Sequence, residues 1–214
     1  MERPFGVKAF TRTSIEAIRR RELIEAAYSV FVTDGLDRMT MARIGERAGM
    51  SRGIVNYYFK SKTDLLAAVM RKSMFIVFAD TAKFLREATT PRERLSAVVR
   101  ANLIPNGFTQ DAARAWFSFY SLLGNEPEFD RMQTIFDVRT LNNYRHALRA
   151  LVPPEEVDRV AVTIATLVDG LWVRQTRVGR PMTMDAAIAV VEGAVDAEIA
   201  RAALKPCCIS TRTV

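Results

Sequence analysis

The 214 residues are 49% hydrophobic and 26% charged, the balance of a chain with a core to bury and not of a disordered one. The formal net charge of +7 is unevenly placed: residues 1–72 carry 14 Lys and Arg against 8 Asp and Glu, and residues 73–214 carry 17 against 16. One histidine, His146, and the adjacent pair Cys207 and Cys208 make no set with metal-ligand or nucleophile spacing, so no metal, no cofactor and no enzymatic activity is expected. The start is polar and basic without an apolar leader segment, and no apolar run reaches the roughly 18 residues of a membrane span. A cytoplasmic protein with no membrane partner is expected. A basic excess confined to one third of the chain is the footprint of phosphate binding, although a solvated basic face has the same composition.

Helical periodicity recurs along the chain and no strand-type alternation persists, so the expected fold is all-α. Residues 1–14, with Pro4, Gly6 and several bases, read as a flexible arm. A first helix over about 15–33 places Leu23, Ala27 and Phe31 on one face beside Ile24, and Asp34-Gly35 stops it. Thr40 caps a short helix over 41–48, Gly49 turns the chain, and Ser51 caps a second short helix over 52–59. Ser61-Lys62-Thr63-Asp64 reads as a capping box opening a helix that ends at about Glu87. Further helices are expected over 91–104 (with Pro91 in its first turn), 110–124, 128–151, 155–178 and 184–204. Pro105-Asn106-Gly107, Asn125-Glu126-Pro127, Pro153-Pro154 and Gly179-Arg180-Pro181 divide them, and residues 205–214 read as a mobile tail. Two domains follow, 1–72 and 73–214.

Two short capped helices joined by a glycine turn form a helix-turn-helix, here within a three-helix N-terminal domain. Ile44, Ala48, Met50, Ile54, Tyr58 and Phe59 are expected on its inner face, with small Ala48 letting the helices approach. Ser51, Arg52, Gly53, Asn56 and Tyr57 are expected outward, near the end of a recognition helix that enters a major groove. Arg52 has the fork to bind a guanine edge twice, and Asn56 has the amide to read adenine. Gly53 permits close backbone approach. Thr40, Tyr57 and Lys62 suit phosphate oxygens, and Arg43 and Arg47 serve either there or as solvated surface. Arg19, Arg20 and Arg21 cannot share one helical face, so one of them at most is expected to meet the backbone. Lys8 and Arg12 give the arm the charge to follow a minor groove.

The stretch TMARIGERAGMSRGIVNYYFKSKTDLL, Thr40 to Leu66, closely resembles the DNA-binding motif of the TetR family. The glycine turn, the serine start, Tyr58-Phe59 and Lys60-Ser61-Lys62 followed by Leu65-Leu66 carry the likeness. Asn56 departs from the tyrosine of many members. Ala112–Arg149 and Leu167–Gln175 are similar to the C-terminal domain of the BetI-type repressors, which respond to choline and control glycine betaine synthesis. The resemblance implies a homodimer with a helical ligand-binding and dimerisation domain, closed by a four-helix interface between the last two long helices of each subunit. It implies a repressor on a near-palindromic double-stranded DNA operator that responds to a small-molecule effector. Val160, Ile164, Leu167, Leu171, Ile188, Val191, Val195 and Ile199 are candidates for the interface stripe, or for the domain's own core.

A quaternary ammonium donates no hydrogen bond and is held by aromatic faces and a carboxylate. Trp116, Phe119, Tyr120, Tyr144 and Trp172 supply the rings, with Asp169 or Glu126 as counter-charge. Asp169 and Trp172 are three residues apart and share one side of their helix. The competing arrangement pairs Asp169 with Arg139 or Arg145 and leaves the tryptophan as core filler. A sensor of an apolar compound or a drug-like cation, or an activator, fits the same family pattern. A protein lying on an anionic membrane surface fits the charge alone.

Overall fold

The computed structural model describes residues 12–103, 107–177 and 179–204. Among them the regular elements are all helices: α1 (Arg12–Asp34), α2 (Met41–Ala48), α3 (Arg52–Tyr58), α4 (Lys62–Glu87), α5 (Pro91–Leu103), α6 (Gln110–Tyr120), α7 (Pro127–Leu148), a 3-10 turn (Pro154–Glu156), α8 (Val157–Gln175) and α9 (Met184–Ala203). They divide into two compact units, Met1–Lys72 and Ser73–Val214, with the boundary inside α4. Lys8 and the rest of the arm up to residue 11, the tail 205–214 with both cysteines, Ile104, the Pro105-Asn106 break and Val178 lie outside the described residues. Arg12, Thr13 and Ser14, expected in the arm, belong to α1. The helix expected over 110–124 stops at Tyr120, and a series of turns carries the chain from there to Pro127.

In the first unit the side-chain caps form as their residue types dictate. Thr40 accepts a hydrogen bond from the Arg43 amide (3.2 Å) and Ser51 accepts one from the Ile54 amide (3.3 Å). At the start of α4, Ser61 accepts from the Asp64 amide (3.0 Å), while Asp64 reaches back to the Lys60 amide (3.2 Å). Gly49 closes α2 in the left-handed region at φ +66°, which a residue with a Cβ enters only with strain.

The inner face of the motif differs from the expected one. Ile54 is 42% exposed, and Val55 is fully buried in its place together with Ile44 and Phe59. Ser51 ends the turn and opens α3 at Arg52, so Val55 and Phe59, four apart, take the inward positions and Ile54 rotates outward. Ala48, Met50 and Tyr58 are only half-buried. The close approach belongs to Gly45: a Cβ there would lie 2.6 Å from the Met50 carbonyl oxygen and 3.2 Å from a Val55 methyl. The Met50 amide donates to the Gly45 carbonyl at 2.8 Å, which locks the turn onto that glycine.

In the second unit, α5, α7, α8 and α9 surround one core of Leu95, Val98, Val99, Leu103, Tyr144, Leu148 and their neighbours. Val160, Ile164, Leu171, Val191 and Val195, candidates for an intersubunit stripe, are buried in this core, and Leu167, Ile188 and Ile199 pack against it. The apolar surface left outward on these two helices is different: Val162 and Val173 on α8, Val190 on α9, and small Ala189, Gly193 and Ala197 between. Polar ties fix the helix ends. Arg92 of α5 bridges Asp196 (2.8 Å) and Glu192 of α9, and Arg159 of α8 bridges Glu156 (2.6 Å) and Glu198 (2.8 Å). Gln175, 2% exposed, donates to the carbonyls of Phe108 and Met182 and accepts from the Met182 amide, so one amide satisfies three backbone groups where the chain leaves α8.

Gly45→Ala is expected to destabilise the chain by about 1–3 kcal/mol in urea denaturation, because backbone at 2.6 Å must move. Ile54→Thr, on the surface, is expected to stay within about 0.5 kcal/mol of the parent.

Candidate functional site

Two surfaces gather chemistry, one in each unit. On the first, Ser51, Arg52, Gly53, Asn56 and Tyr57 are all exposed along α3, Tyr57 by 69%. Their exposure follows from the burial of Val55 and Phe59 on the opposite side of a two-turn helix. Arg52 and Asn56 have no partner among the described residues, which leaves their donors and acceptors to an outside ligand. A Cβ on Gly53 would meet only the Ser51 hydroxyl, at 3.7 Å. Internal packing therefore does not demand glycine at this position.

The flanking bases are held by the fold. Arg43 Nε donates to Asp34 at 2.6 Å; Arg47 donates to the Ser29 hydroxyl at 2.7 Å and lies 3.7 Å from the same aspartate. The hydrogen bond from Arg43, then that from Thr33, keeps the Asp34 carboxyl below its ordinary range. Lys62 donates to the Leu36 carbonyl at 2.8 Å and so anchors the segment joining α1 to α2. Arg19 pairs with Glu22 at 2.9 Å, and the Arg20 guanidinium lies 4.8 Å over the Phe59 ring. Thr40 and Ser51 both use their hydroxyls as caps. The surface thus combines free side chains on α3 with bases whose positions internal partners restrict. An open groove beside it is lined by Ile15, Arg19, Met50, Gly53, Ile54 and Tyr57, and Ile54 gives it an apolar wall that the periodicity had assigned to the core.

The second surface is a cavity of about 530 Å³ with walls from α5, α6, α7 and α8 and from Leu123 beyond α6. Of the seven ligand candidates, Tyr120, Tyr144, Asp169 and Trp172 line it, and Trp116, Phe119 and Glu126 do not. Phe119 is 2% exposed and packs on Phe129 (5.3 Å) and Trp116 (6.2 Å), so both rings belong to the packing of α6. Glu126 is the N-cap of α7. Three further residues complete the walls: Phe117 and Phe136 add aromatic rings, and Asp137 adds a second carboxylate. A signal for the last two was present, since Phe136, Thr140 and Tyr144 repeat every four residues and Asp137 precedes Tyr144 by two helical turns.

Among the described residues no Lys, Arg or His lines this cavity. Asp169 has no ion-pair partner among the described residues. Arg145 pairs instead with Asp158 at 2.6 Å, and Arg139 lies 4.8 Å over the Phe78 ring. Solvent reaches the Asp169 carboxyl, but the aromatic and aliphatic walls hydrate it poorly. That burial pushes its pKa up to about 6, and the charge of Asp137 pushes the same way. Asp137 accepts from Gln133 Nε2 at 2.8 Å and is itself raised by burial. Burial and the Asp169 charge raise both phenols, so Tyr120 and Tyr144 stay protonated donors. Trp172 donates its indole N–H to the Asn102 carbonyl at 3.1 Å and packs edge-on to Phe108 at 5.1 Å. Negative charge without a counter-ion inside aromatic walls is chemistry suited to an organic cation. Among the described residues no group of His, Cys, Asp and Glu is arranged to hold a metal, and no helix is long and apolar enough to cross a membrane.

Comparison with known proteins gives a consistent picture. Residues 91–200 match the family model described as BetI-type transcriptional repressor, C-terminal, and residues 23–69 match that of the bacterial regulatory proteins, tetR family. The chain is 33% identical to the HTH-type transcriptional regulator BetI of Rhizobium meliloti over 88% of its own length and 93% of the relative's. It is 32% identical to BetI of Escherichia coli over 80% and 89% respectively. Among solved structures, a transcriptional regulator of Saccharomonospora viridis in complex with choline shares the fold with a TM-score of 0.76 and 20% identity, over 84% of this chain and 96% of that one.

The raised Asp169 carboxyl fixes a pH dependence. The native state holds its proton to higher pH than the unfolded chain does, so this group's contribution to stability is lost as pH rises from the ordinary 3.8 through about 6. Asp169→Asn is therefore expected to raise the melting temperature relative to the parent at pH 8 and to make little difference at pH 4. Differential scanning calorimetry at the two pH values checks both.

Proposed function

This chain belongs to the TetR family of bacterial regulatory proteins and has a BetI-type repressor domain, and from that premise we propose that it is a homodimeric transcriptional repressor whose effector is choline or a closely related quaternary ammonium. The DNA reading rests on α3, where Arg52 and Asn56 have no partner among the described residues and packing does not demand glycine at Gly53. In this reading Arg52 binds a guanine edge, Asn56 reads adenine, and Thr40, Arg43, Ser51, Tyr57 and Lys62 meet phosphates through side chain or helix-terminal amide. Two subunits put two such helices in successive major grooves, about 34–36 Å apart, on a near-palindromic operator. The outward Val162, Val173 and Val190 with Ala189, Gly193 and Ala197 supply the surface for pairing α8 and α9 of one subunit with those of its partner.

The effector reading is carried by one observation: Asp169 is a carboxylate among aromatic walls with no ion-pair partner among the described residues. A quaternary ammonium supplies the missing charge and needs no hydrogen-bond acceptor, so Tyr120, Tyr144 and Trp172 can enclose its methyl groups while Asp169 neutralises it. The choline in the Saccharomonospora viridis complex and the BetI name of the relatives support the same class, and with it control of glycine betaine synthesis. For derepression, the effector must bind more tightly to a state of lower operator affinity. Phe136 of the cavity wall stacks on Phe78 of α4 at 5.8 Å, which gives ligand binding a route into the helix where the two units meet in sequence.

Tryptophan fluorescence tests the effector. A saturable change is expected with choline and none with its uncharged isostere 3,3-dimethylbutanol. Trp172→Phe abolishes the change, Trp116→Phe preserves it, and Asp169→Asn weakens choline by about tenfold or more. Affinity is expected to rise from pH 5 to pH 7 and then level as Asp169 ionises. No saturable change at millimolar choline would overturn the effector class and favour an apolar ligand.

On the DNA side, Arg52→Ala and Asn56→Ala are each expected to weaken operator binding by about 1–3 kcal/mol in gel-shift titrations. Binding falls steeply with salt because phosphate contacts release counter-ions. A single asymmetric half-site in footprints at saturating protein would contradict the dimer.

A further inference from the structure

Tyr144 is fully buried, lines the cavity, and its hydroxyl has no hydrogen-bond partner among the described residues. Phenylalanine would fill the same volume without an unsatisfied donor, whose burial is costly. The charge of Asp169 acts on this phenol, yet no hydrogen bond joins the two. On the same face of α7, two turns earlier, Asp137 uses part of its acceptor capacity on Gln133 and has no ion pair among the described residues. The α7 wall therefore holds an unsatisfied donor just behind the cavity surface and, at Asp137, a spare acceptor, opposite the Asp169 and Trp172 side chains that α8 contributes.

We propose that this wall reads an uncharged oxygen on the effector, with the Tyr144 hydroxyl donating to that oxygen and Asp137 accepting its proton. The site then selects a hydroxyl-bearing organic cation over an alkyl cation of equal charge and bulk, and over a zwitterion that has a carboxylate. The inference rests on the cation reading of the cavity and adds the second half of the ligand. An alkyl cation leaves the Tyr144 donor unsatisfied. A carboxylate would sit beside Asp137 and Asp169 in a cavity whose described lining has no Lys, Arg or His to offset it.

Isothermal titration calorimetry on the full chain at pH 8, with choline, propyltrimethylammonium and glycine betaine, tests this. The parent is expected to bind choline at least about tenfold more tightly than propyltrimethylammonium, and glycine betaine more weakly than either. Tyr144→Phe should bring the two cations to near-equal affinity, chiefly by weakening choline, with the melting temperature equal or higher. A purely structural Tyr144 would shift both cations alike. Asp137→Asn should strengthen glycine betaine relative to choline, and an unchanged ratio there overturns the part assigned to Asp137. Equal affinity of the parent for choline and propyltrimethylammonium overturns the inference and leaves the cation reading standing; affinity for neither overturns both.

Discussion

An ionised carboxylate is stable in apolar surroundings only when a cation or several donors compensate it. Among the described residues Asp169 has no such partner and relies on the solvent that reaches it, and much of the second unit can be understood around that fact. The arginines that could have neutralised it are committed elsewhere, Arg145 to Asp158 and Arg139 to the Phe78 ring. Asp137 adds a second negative charge instead of relieving the first. The unit tolerates this because the cavity wall is backed by the aliphatic core of α5, α7, α8 and α9, and by the ion pairs that tie α5 to α9 and α8 to α9. The cavity is an electrostatic deficit built against a well-packed frame.

The first unit solves a different problem. A seven-residue helix has little stability of its own, and on α3 Arg52 and Asn56 stand exposed with no partner among the described residues. Ser51 caps its start, Val55 and Phe59 bury its inner side, and the contact of Val55 with Gly45 seats it on α2. Nearby bases are restrained by Asp34, Ser29 and the Leu36 carbonyl. Restraining a charged side chain before binding reduces the entropy lost on binding, so the same contacts that hold the motif together also prepare its rim.

The two surfaces differ in how much could be read in advance. Capping residues act over three or four positions, so Thr40, Ser51 and the Ser61–Asp64 box located their helices to within a residue. Periodicity was weaker. It assigned Ile54 to the inside because Ile54 and Val55 are both apolar neighbours, and only the docking of α3 on α2 distinguishes them. The same ambiguity affected α8 and α9, whose most regular apolar stripe proved to be core, while the outward apolar residues are smaller and less regular. In the cavity, Trp116 and Phe119 attracted notice as large aromatics but turn into the packing of α6, whereas Phe117 and Tyr120, each one residue further along, turn into the cavity.

What the sequence by itself determined is what local chemistry controls: an all-helical chain, the glycine turn between two hydroxyl-capped helices, a basic first third, and a family pattern specific enough to identify. It also held an acidic residue, Asp169, in an apolar stretch. Only the tertiary structure decided which side chains share a cavity, because that depends on how α6, α7 and α8 rotate against one another and a rotation of one residue replaces one wall by another. The placing of Asp137 near Asp169, the commitment of both competing arginines and the unsatisfied Tyr144 hydroxyl are properties of that rotation. They involve residues too far apart along the chain for any local spacing to encode.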